Sequence, residues 1–307
     1  MANVIVGIHG LAKKPARQEE AACWEAAIRE GLAKNCGIHA AQFTYRMVYW
    51  ADLLYKYPLH HDPHFAFDAL YNDEPYGPAA EGALQSYTEG WLDHARGVIS
   101  AAAGGVLDAL KGYVGLDALA DVVLERVLRD LEFYYDDHRQ IGDRAGQLRP
   151  ARLVLMDELN NTLRELEGER LMVVAHSMGS IIAYDVLRRL GRDTPAFPCA
   201  DFVTIGSPLG LPHVKAKVYE ECAYATVRVR TPTIITERWV NYADRRDPVA
   251  VDCHLADDYA PNDRGVHVVD DLILNDYISP AGKRNCHKSY GYLRTPEISA
   301  HLREFLH

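Results

Sequence analysis

Short apolar runs alternate with amphipathic segments near the start of the chain. Asn3–Ile8 is a β-branched run, residues 15–35 carry apolar side chains at helical spacing, and residues 39–50 return to a strand-like composition. The order strand, helix, strand predicts a parallel sheet, because parallel neighbours need a crossover connection that usually holds a helix.

The same alternation resumes in the second half of the chain. The predicted elements there are a helix at Arg144–Glu167, a strand at Arg170–Ala175, a helix at Ser180–Leu190, strands at Asp201–Ile205, Arg238–Tyr242 and Val266–Val269, and a helix at Thr295–Leu306. In the last helix, Thr295 is the predicted N-cap and Pro296 the first helical residue. The predicted fold class is α/β, a mostly parallel sheet with helices on both faces.

The stretch between these two parts has a different pattern. Residues 55–78 are rich in Tyr, Pro, His and Asp, and apolar positions from 98 to 131 have the spacing of amphipathic helices. We therefore expect a core made of residues 1–51 and 138–307 and a helical cap inserted at 52–137. Tyr45, Tyr49 and Trp50 and the aromatic residues of the insertion are candidates for an apolar substrate pocket, although packing the cap onto the core would explain them equally well.

Composition narrows the possible functions. The 307 residues include 33 basic and 43 acidic side chains, for a net charge of −10, which argues against a nucleic-acid partner held through phosphate contacts. The N-terminus lacks the pattern of a secretory signal, and no apolar stretch is long enough to span a bilayer. Six scattered cysteines without a CxxC pair fit a reducing compartment. We therefore expect a cytoplasmic protein.

The strongest chemical signal lies where the strand at 170–175 meets the next helix. Residues 173–183 read Val-Val-Ala-His-Ser-Met-Gly-Ser-Ile-Ile-Ala, which matches the G-x-S-x-G nucleophile elbow with Ala175 in place of the first glycine. Small residues two positions before and after Ser177 let strand and helix approach closely. Ser177 is the predicted nucleophile, flanked by His176 and Gly179 as supporting residues.

On the strength of this elbow between a strand and a helix, the chain resembles the α/β-hydrolase superfamily, in particular its lipase-like and esterase-like serine hydrolases. The resemblance covers roughly residues 1–50 and 140–307 and implies a Ser–acid–His triad in that chain order. The acid is expected after a late strand, where Asn241–Val249 contains Asp247, our choice. Asp244 is a direct competitor, and Asp252 is a weaker one.

The base is expected in the loop before the last helix. His287 lies in the segment Asn-Cys-His-Lys-Ser-Tyr, and its imidazole could accept the serine proton and pass it to the leaving group. The alternatives are His254, His267 and His301. The last two fall inside a predicted strand and helix, where a structural role is more natural.

The resemblance also implies an oxyanion hole made from backbone amides. Met178 follows the nucleophile, and Leu11 follows the His9–Gly10 pair at the end of the first strand. Gly10 would let the backbone approach, and His9 would orient the loop. Gly206-Ser207-Pro208 resembles a stretch of lipase-like relatives that shapes the pocket floor.

The only metal-like cluster is His60-His61-Asp62-Pro63-His64, which is more simply explained as a surface loop. No phosphate-binding glycine loop is present. We expect neither a metal nor another cofactor.

The predicted activity is hydrolysis of a carboxylic ester with an apolar or lipid-like acyl group, through an acyl-enzyme on Ser177. Two alternatives stay open: an acyltransferase or thioesterase with the same triad, and a non-catalytic binding protein of the same fold. Transient contact with a membrane surface is compatible with an apolar cap, and the sequence does not indicate an oligomeric state.

Overall fold

Six parallel strands form the centre of the molecule. The computed structural model describes residues 2–59, 76–80, 85–87, 128–222, 229–279, 282 and 284–307. The described strands are β1 (Asn3–Ile8), β2 (Thr44–Val48), β3 (Gln140–Gly142), β4 (Leu148–Pro150), β5 (Arg170–His176), β6 (Cys199–Ile205), β7 (Ile235–Ala243) and β8 (Val268–Leu272). The main sheet has the order β2-β1-β5-β6-β7-β8, and every pair in it is parallel.

Helices cover both faces of this sheet. They are α1 (Arg17–Cys36), α2 (Ala51–Leu54), α3 (Ala151–Glu165), α4 (Met178–Asp193), α5 (Pro212–Cys222), α6 (Ser289–Leu293) and α7 (Pro296–Leu306), and residues 128–135 are helical as well. The predicted α/β fold class, a mostly parallel sheet with helices on both faces, is confirmed. No described helix combines the length and apolar character that crossing a membrane requires.

Alternating side chains of the strands build two separate cores. Val4 and Val6 of β1 pack with Leu155 of α3 and Ile182 of α4, whereas Ile5 packs on the opposite face with helices α1 and α7. Strands buried on both faces explain why their sequences read as continuous apolar runs. Two helical layers therefore hold the ends of the strands, and the loops between them, in fixed positions.

One predicted helix is partly wrong. Residues 140–150, which overlap the start of the helix predicted at Arg144–Glu167, form an antiparallel hairpin, and α3 starts only at Ala151. The Asp143 carboxylate accepts hydrogen bonds from the amides of Ala145 and Gln147, and Gly146 has a φ of +80°. This local turn chemistry opposes a helix before Pro150.

Most of the predicted cap at 52–137 lies outside the described residues, as do Phe65, Phe67 and Tyr71 and the histidine cluster at 60–64. The described pieces at 76–80 and 85–87 lie against the layer of α1 and α7. There Arg294 Nη1 donates to the Gly77 carbonyl at 2.8 Å, and the Tyr87 amide donates to Glu297 Oε1 at 3.1 Å.

Three aromatic residues near the predicted start of the cap belong to the core. The ring of Tyr45 packs against Gly7 of β1, the Tyr49 hydroxyl donates to the Pro15 carbonyl at 2.7 Å, and Trp50 is fully buried. These contacts lie within the core, and the packing of the cap onto it lies largely outside the described residues.

Candidate active site

The candidate site lies at the carboxyl edge of the sheet, where the order of the strands reverses. From β1 the chain moves outward to β2, and later it returns to β5 on the other side of β1. In open α/β sheets, ligands bind outside the carboxyl ends of the strands at such a switch point. The loops after β1 and β5 flank this point, and they carry His9–Leu11 and Ser177.

Ser177 occupies a strained turn between β5 and α4. Its φ of 53° and ψ of −131° are unusual for a residue with a side chain, and such strain costs about 1–3 kcal/mol. The Ser177 amide donates to the Ile205 carbonyl at 3.1 Å, and the Ser180 hydroxyl donates to the Ser177 carbonyl at 2.6 Å. These bonds hold the serine in its turn.

Gly179 makes this turn possible. A Cβ atom at this position would lie 2.6 Å from the His9 carbonyl oxygen and 2.7 Å from that of Ile8. Both are backbone atoms with little freedom to move. The small residue two positions after the serine is therefore required by the approach of α4 to the end of β1.

The structure brings Ser177, His287 and Asp247 together. His287 Nε2 lies 3.0 Å from Ser177 Oγ, and His287 Nδ1 lies 2.9 Å from Asp247 Oδ2. With the carboxylate ionised, Nδ1 carries the proton and donates it to Asp247, which leaves Nε2 to accept from the serine hydroxyl. The Asp247 side chain is fully buried and that of His287 is 21% exposed.

Asp244 and Asp247 have different partners. Asp247 Oδ1 accepts from the Val249 amide at 2.8 Å, and its Oδ2 faces His287. Asp244 instead forms a bidentate pair with Arg246, at 2.9 Å from Nε and 2.5 Å from Nη2. Of the acids that the sequence leaves open, the structure brings Asp247 to the histidine.

The remaining alternatives have other partners or are exposed. Asp252 pairs with Lys215 at 3.4 Å, and His254 and His267 are exposed. His301 is buried within α7, where its Nε2 lies 2.9 Å from Asp201 Oδ2. Burial raises the pKa of Asp201, but the hydrogen bond from His301 and the charge of Arg238 bring it below its ordinary value.

The loop after β1 lies directly against the serine. A Cβ atom on Gly10 would be 2.6 Å from the Ser177 Cβ, so only glycine allows this approach. Leu11 follows, and Lys14 Nζ donates to the Leu11 carbonyl at 2.6 Å. On the other side, Met178 is the first residue of α4, and its amide has no partner within the helix.

His9 holds this loop as a neutral side chain. Its Nδ1 donates to the Gly10 carbonyl at 2.7 Å, and its Nε2 accepts from the Trp50 amide at 3.1 Å. Complete burial, together with the nearby Lys14 charge, lowers the pKa of His9 to about 3. The ring therefore keeps one donor and one acceptor at physiological pH.

His176 holds the loop that carries His287. Its Nε2 donates to the His287 carbonyl at 2.7 Å, and the two ring centroids are 4.6 Å apart. Burial and the neighbouring His287 lower the pKa of His176 well below its ordinary value. A neutral donor is thus fixed beside the candidate base.

The glycine of the Gly-Ser-Pro stretch is Gly206, which follows β6, and its surroundings explain why the position holds a glycine. It has a φ of +53°, and a Cβ there would lie 2.7 Å from Asp247 Oδ2 and 3.2 Å from His287 Nδ1. The Ser207 hydroxyl is 2.7 Å from that of Ser180, so it links this loop to the elbow and not to His287.

Two residues near His287 were missed from the sequence. The Asn275 side-chain nitrogen donates to the carbonyls on either side of the histidine, at 2.7 Å to Cys286 and 3.0 Å to Lys288. The Tyr292 hydroxyl donates to Asp247 Oδ2 at 2.7 Å. No motif marks Asn275. For Tyr292 the one available signal is its place in the short helix that follows the histidine.

Among the described residues, no group of three or more His, Cys, Asp or Glu side chains is arranged to hold a metal ion. The histidines at 60–64 lie outside these residues.

Comparisons with known proteins add little to this geometry. No family model matches the chain, and no curated protein matches it. Among solved structures it is similar to a candidate hydrolase of the alpha/beta superfamily from Xanthomonas campestris pv. campestris. That similarity has 12% identity and a TM-score of 0.32, with 99% of each chain covered. A TM-score this low carries no argument about activity, which must be argued from the site itself.

Proposed function

We propose that the protein is a serine hydrolase that cleaves a carboxylic ester with an apolar or lipid-like acyl group. The observation that carries the proposal is the continuous chain of contacts from Ser177 Oγ to His287 Nε2, at 3.0 Å, and from His287 Nδ1 to Asp247 Oδ2, at 2.9 Å. Nucleophile, base and orienting acid in this arrangement constitute the geometry of serine acyl transfer.

In the acylation step, Ser177 Oγ attacks the ester carbonyl carbon while its proton passes to His287 Nε2. Asp247 stabilises the imidazolium that forms. The tetrahedral oxyanion is stabilised by the amides of Met178 and Leu11 and by the N-terminus of α4. The bond to the alcohol oxygen then breaks, and the alcohol leaves with the proton from His287.

In the deacylation step, water replaces the alcohol. His287 takes a proton from the water as its oxygen attacks the acyl carbon, and it returns that proton to Ser177 Oγ when the acid leaves. The two steps balance without a metal or a redox cofactor. If an alcohol or a thiol took the place of this water, the same acyl-enzyme would make the protein a transferase.

The proposal is supported by side chains that a binding protein would not need. The positive φ of Ser177 costs free energy. The fully buried carboxylate of Asp247 costs free energy to desolvate, and its hydrogen bonds from His287 and Tyr292 offset that cost. Gly10, Gly179 and Gly206 all stand where a Cβ atom would collide with the site.

The test is hydrolysis of p-nitrophenyl esters of two to twelve acyl carbons by the purified full chain. We expect turnover with a preference for longer chains, and loss of at least about 1,000-fold in Ser177→Ala. Ser299→Ala is the matched control, since Ser299 is buried in α7 and bonded to Thr295 and Asn35, away from His287. Equal rates for Ser177→Ala and the wild type would refute the proposal. Product distribution with added alcohol or thiol separates hydrolase from transferase.

A further inference from the structure

Tyr292 is placed to act on the candidate acid. It belongs to the short helix α6, is fully buried, and donates its hydroxyl proton to Asp247 Oδ2 at 2.7 Å. The same oxygen accepts from His287 Nδ1 at 2.9 Å. Tyrosine and histidine therefore share one oxygen atom of the carboxylate.

The direction of the tyrosine proton is fixed by a second contact. The Asp244 amide donates to the Tyr292 hydroxyl oxygen at 3.1 Å, so the hydroxyl's own proton points towards Asp247. Burial and the nearby Asp247 raise the pKa of Tyr292 well above its ordinary value. The hydroxyl thus stays protonated, and it stays a donor.

The backbone at Gly206 lies close to all three side chains. A Cβ atom on Gly206 would lie 2.7 Å from Asp247 Oδ2, 3.2 Å from His287 Nδ1 and 3.2 Å from Tyr292 Cε2. A side chain at position 206 would therefore collide with the cluster. The other carboxylate oxygen of Asp247 is occupied by the amides of Val249 and Ala250, at 2.8 and 3.5 Å.

We propose that Tyr292 is a positioning residue that fixes Asp247 Oδ2 and weakens the charge with which this carboxylate acts on His287. The inference deepens the function proposed above and rests on it. A hydrogen bond to a carboxylate stabilises its charged form and makes it a poorer acceptor for other donors. Removal of the tyrosine hydroxyl leaves His287 as the stronger partner of Oδ2, so the imidazolium gains stability.

Other charged and titratable groups interact electrostatically with the side chains of this cluster or with His176, Cys253 and Cys286 beside it. They are Lys14, His176, Asp244, Arg245, Arg246, Asp252, Cys253, Arg284, Cys286 and Lys288. A change of Tyr292 to phenylalanine adds no charge and leaves all of them in place. The consequences for His287 can then be assigned to the lost hydroxyl.

The experiment compares Tyr292→Phe with Tyr290→Phe in the full chain. Tyr290 is the matched control because it lies in the same helix, is equally buried, and donates to Glu20 at 3.0 Å and not to Asp247. The first readout is the midpoint of the His287 ring titration, followed by NMR on ¹⁵N-labelled protein. The second is the pH dependence of kcat and KM for ester hydrolysis.

In Tyr292→Phe we expect the His287 titration midpoint and the acid limb of the kcat profile to rise by about half to one pH unit. We also expect kcat at the optimum to fall about tenfold with KM nearly unchanged, because Asp247 loses one of its fixed contacts. Tyr290→Phe leaves the midpoint and kcat at their wild-type values. An unchanged or lower midpoint in Tyr292→Phe would overturn the inference.

A second variant covers the case in which Tyr292→Phe does not fold. Tyr292→3-fluorotyrosine keeps the hydroxyl and makes it more acidic, hence a stronger donor to Asp247, so the His287 midpoint should fall below the wild-type value. A rise or no change would contradict the inference. The NMR titration needs no substrate, so it tests the role of Tyr292 independently of ester hydrolysis. An unchanged His287 midpoint with Ser177-dependent hydrolysis would overturn only this inference. A shifted midpoint without hydrolysis would overturn only the proposed function.

Discussion

At the scale of single residues, the neighbours of each ionisable group decide its role. Asp244 and Asp247 are three positions apart and both are almost fully buried. Arg246 neutralises Asp244, whose Oδ2 also accepts a hydrogen bond from the backbone amide of Asn275 at 2.7 Å. Within the part of the chain that the structure describes, Asp247 has no cationic partner except the imidazolium that would form on His287. One acid therefore shapes the loop, and the other is left to act on the histidine.

Asparagine at the two positions should separate these roles. Asp247→Asn removes the acceptor for Nδ1–H, and we expect kcat to fall by about 10³–10⁴ with little loss of stability. Asp244→Asn breaks a buried pair with Arg246, and we expect unfolding free energy to fall by about 3 kcal/mol while kcat falls less than about tenfold. The measurements are steady-state kinetics and urea unfolding. A greater kcat loss in Asp244→Asn would assign the acid to Asp244.

At the scale of elements, the candidate site depends on loops that long-range contacts hold in place. The loop with His287 is fixed by Asn275, which lies between β8 and α6 and donates to two carbonyls of that loop. His176 at the end of β5 supplies a third contact, to the carbonyl of His287 itself. The base is thus positioned by three contacts from two other segments of the chain.

A pair of buried asparagines tests this arrangement. Asn262 holds the carbonyls of Pro232 and Ile235 at 3.0 and 2.9 Å in the same way, but in a loop away from Ser177. We expect Asn275→Ala and Asn262→Ala each to lower unfolding free energy by about 1–3 kcal/mol. Only Asn275→Ala should also lower kcat, by about 10- to 100-fold, when both variants are assayed at a temperature at which they are folded. Equal kcat values in the two variants would show that the hydrogen bonds from Asn275 to the His287 loop have no part in activity.

Local signals in the sequence predict the elements better than the contacts between them. The β1 strand and the turn at Ser177 depend on short patterns, and the structure has the strand and turn where these patterns lie. The hairpin at 140–150 lies partly where a helix is predicted, because Asp143 and Gly146 form a turn there. The choice between Asp244 and Asp247 depends on the position of His287, and the role of Tyr292 depends on Asp247, 45 residues earlier. No local pattern reveals either of these contacts, or those of Asn275.

At the scale of the whole molecule, the site makes the fold sensitive to acid. Burial lowers the pKa of His9 to about 3, and burial also lowers the pKa of His176. In the unfolded chain both imidazoles take up a proton as the pH falls through about 6.5. The folded protein binds fewer protons than the unfolded chain below that pH, so acid favours unfolding.

We expect unfolding free energy to decrease between pH 7 and pH 5 by about 1 kcal/mol per pH unit for each of the two histidines. His9→Gln, whose amide offers a donor and an acceptor without a charge, should remove about half of this slope. The exposed His267→Gln is the control and should leave the slope unchanged. Urea unfolding at several pH values measures it, and a wild-type slope in His9→Gln would show that His9 does not cause it.

The most direct test of the central claim is labelling of the purified protein with a fluorophosphonate, read by intact mass and peptide mapping. Such a probe reacts with an activated serine and requires no knowledge of the substrate. We predict one adduct per chain, on Ser177, lost in Ser177→Ala and slowed by at least about 100-fold in His287→Ala. An unlabelled protein, or an adduct that persists in Ser177→Ala, would contradict the account of Ser177 as a nucleophile activated by His287.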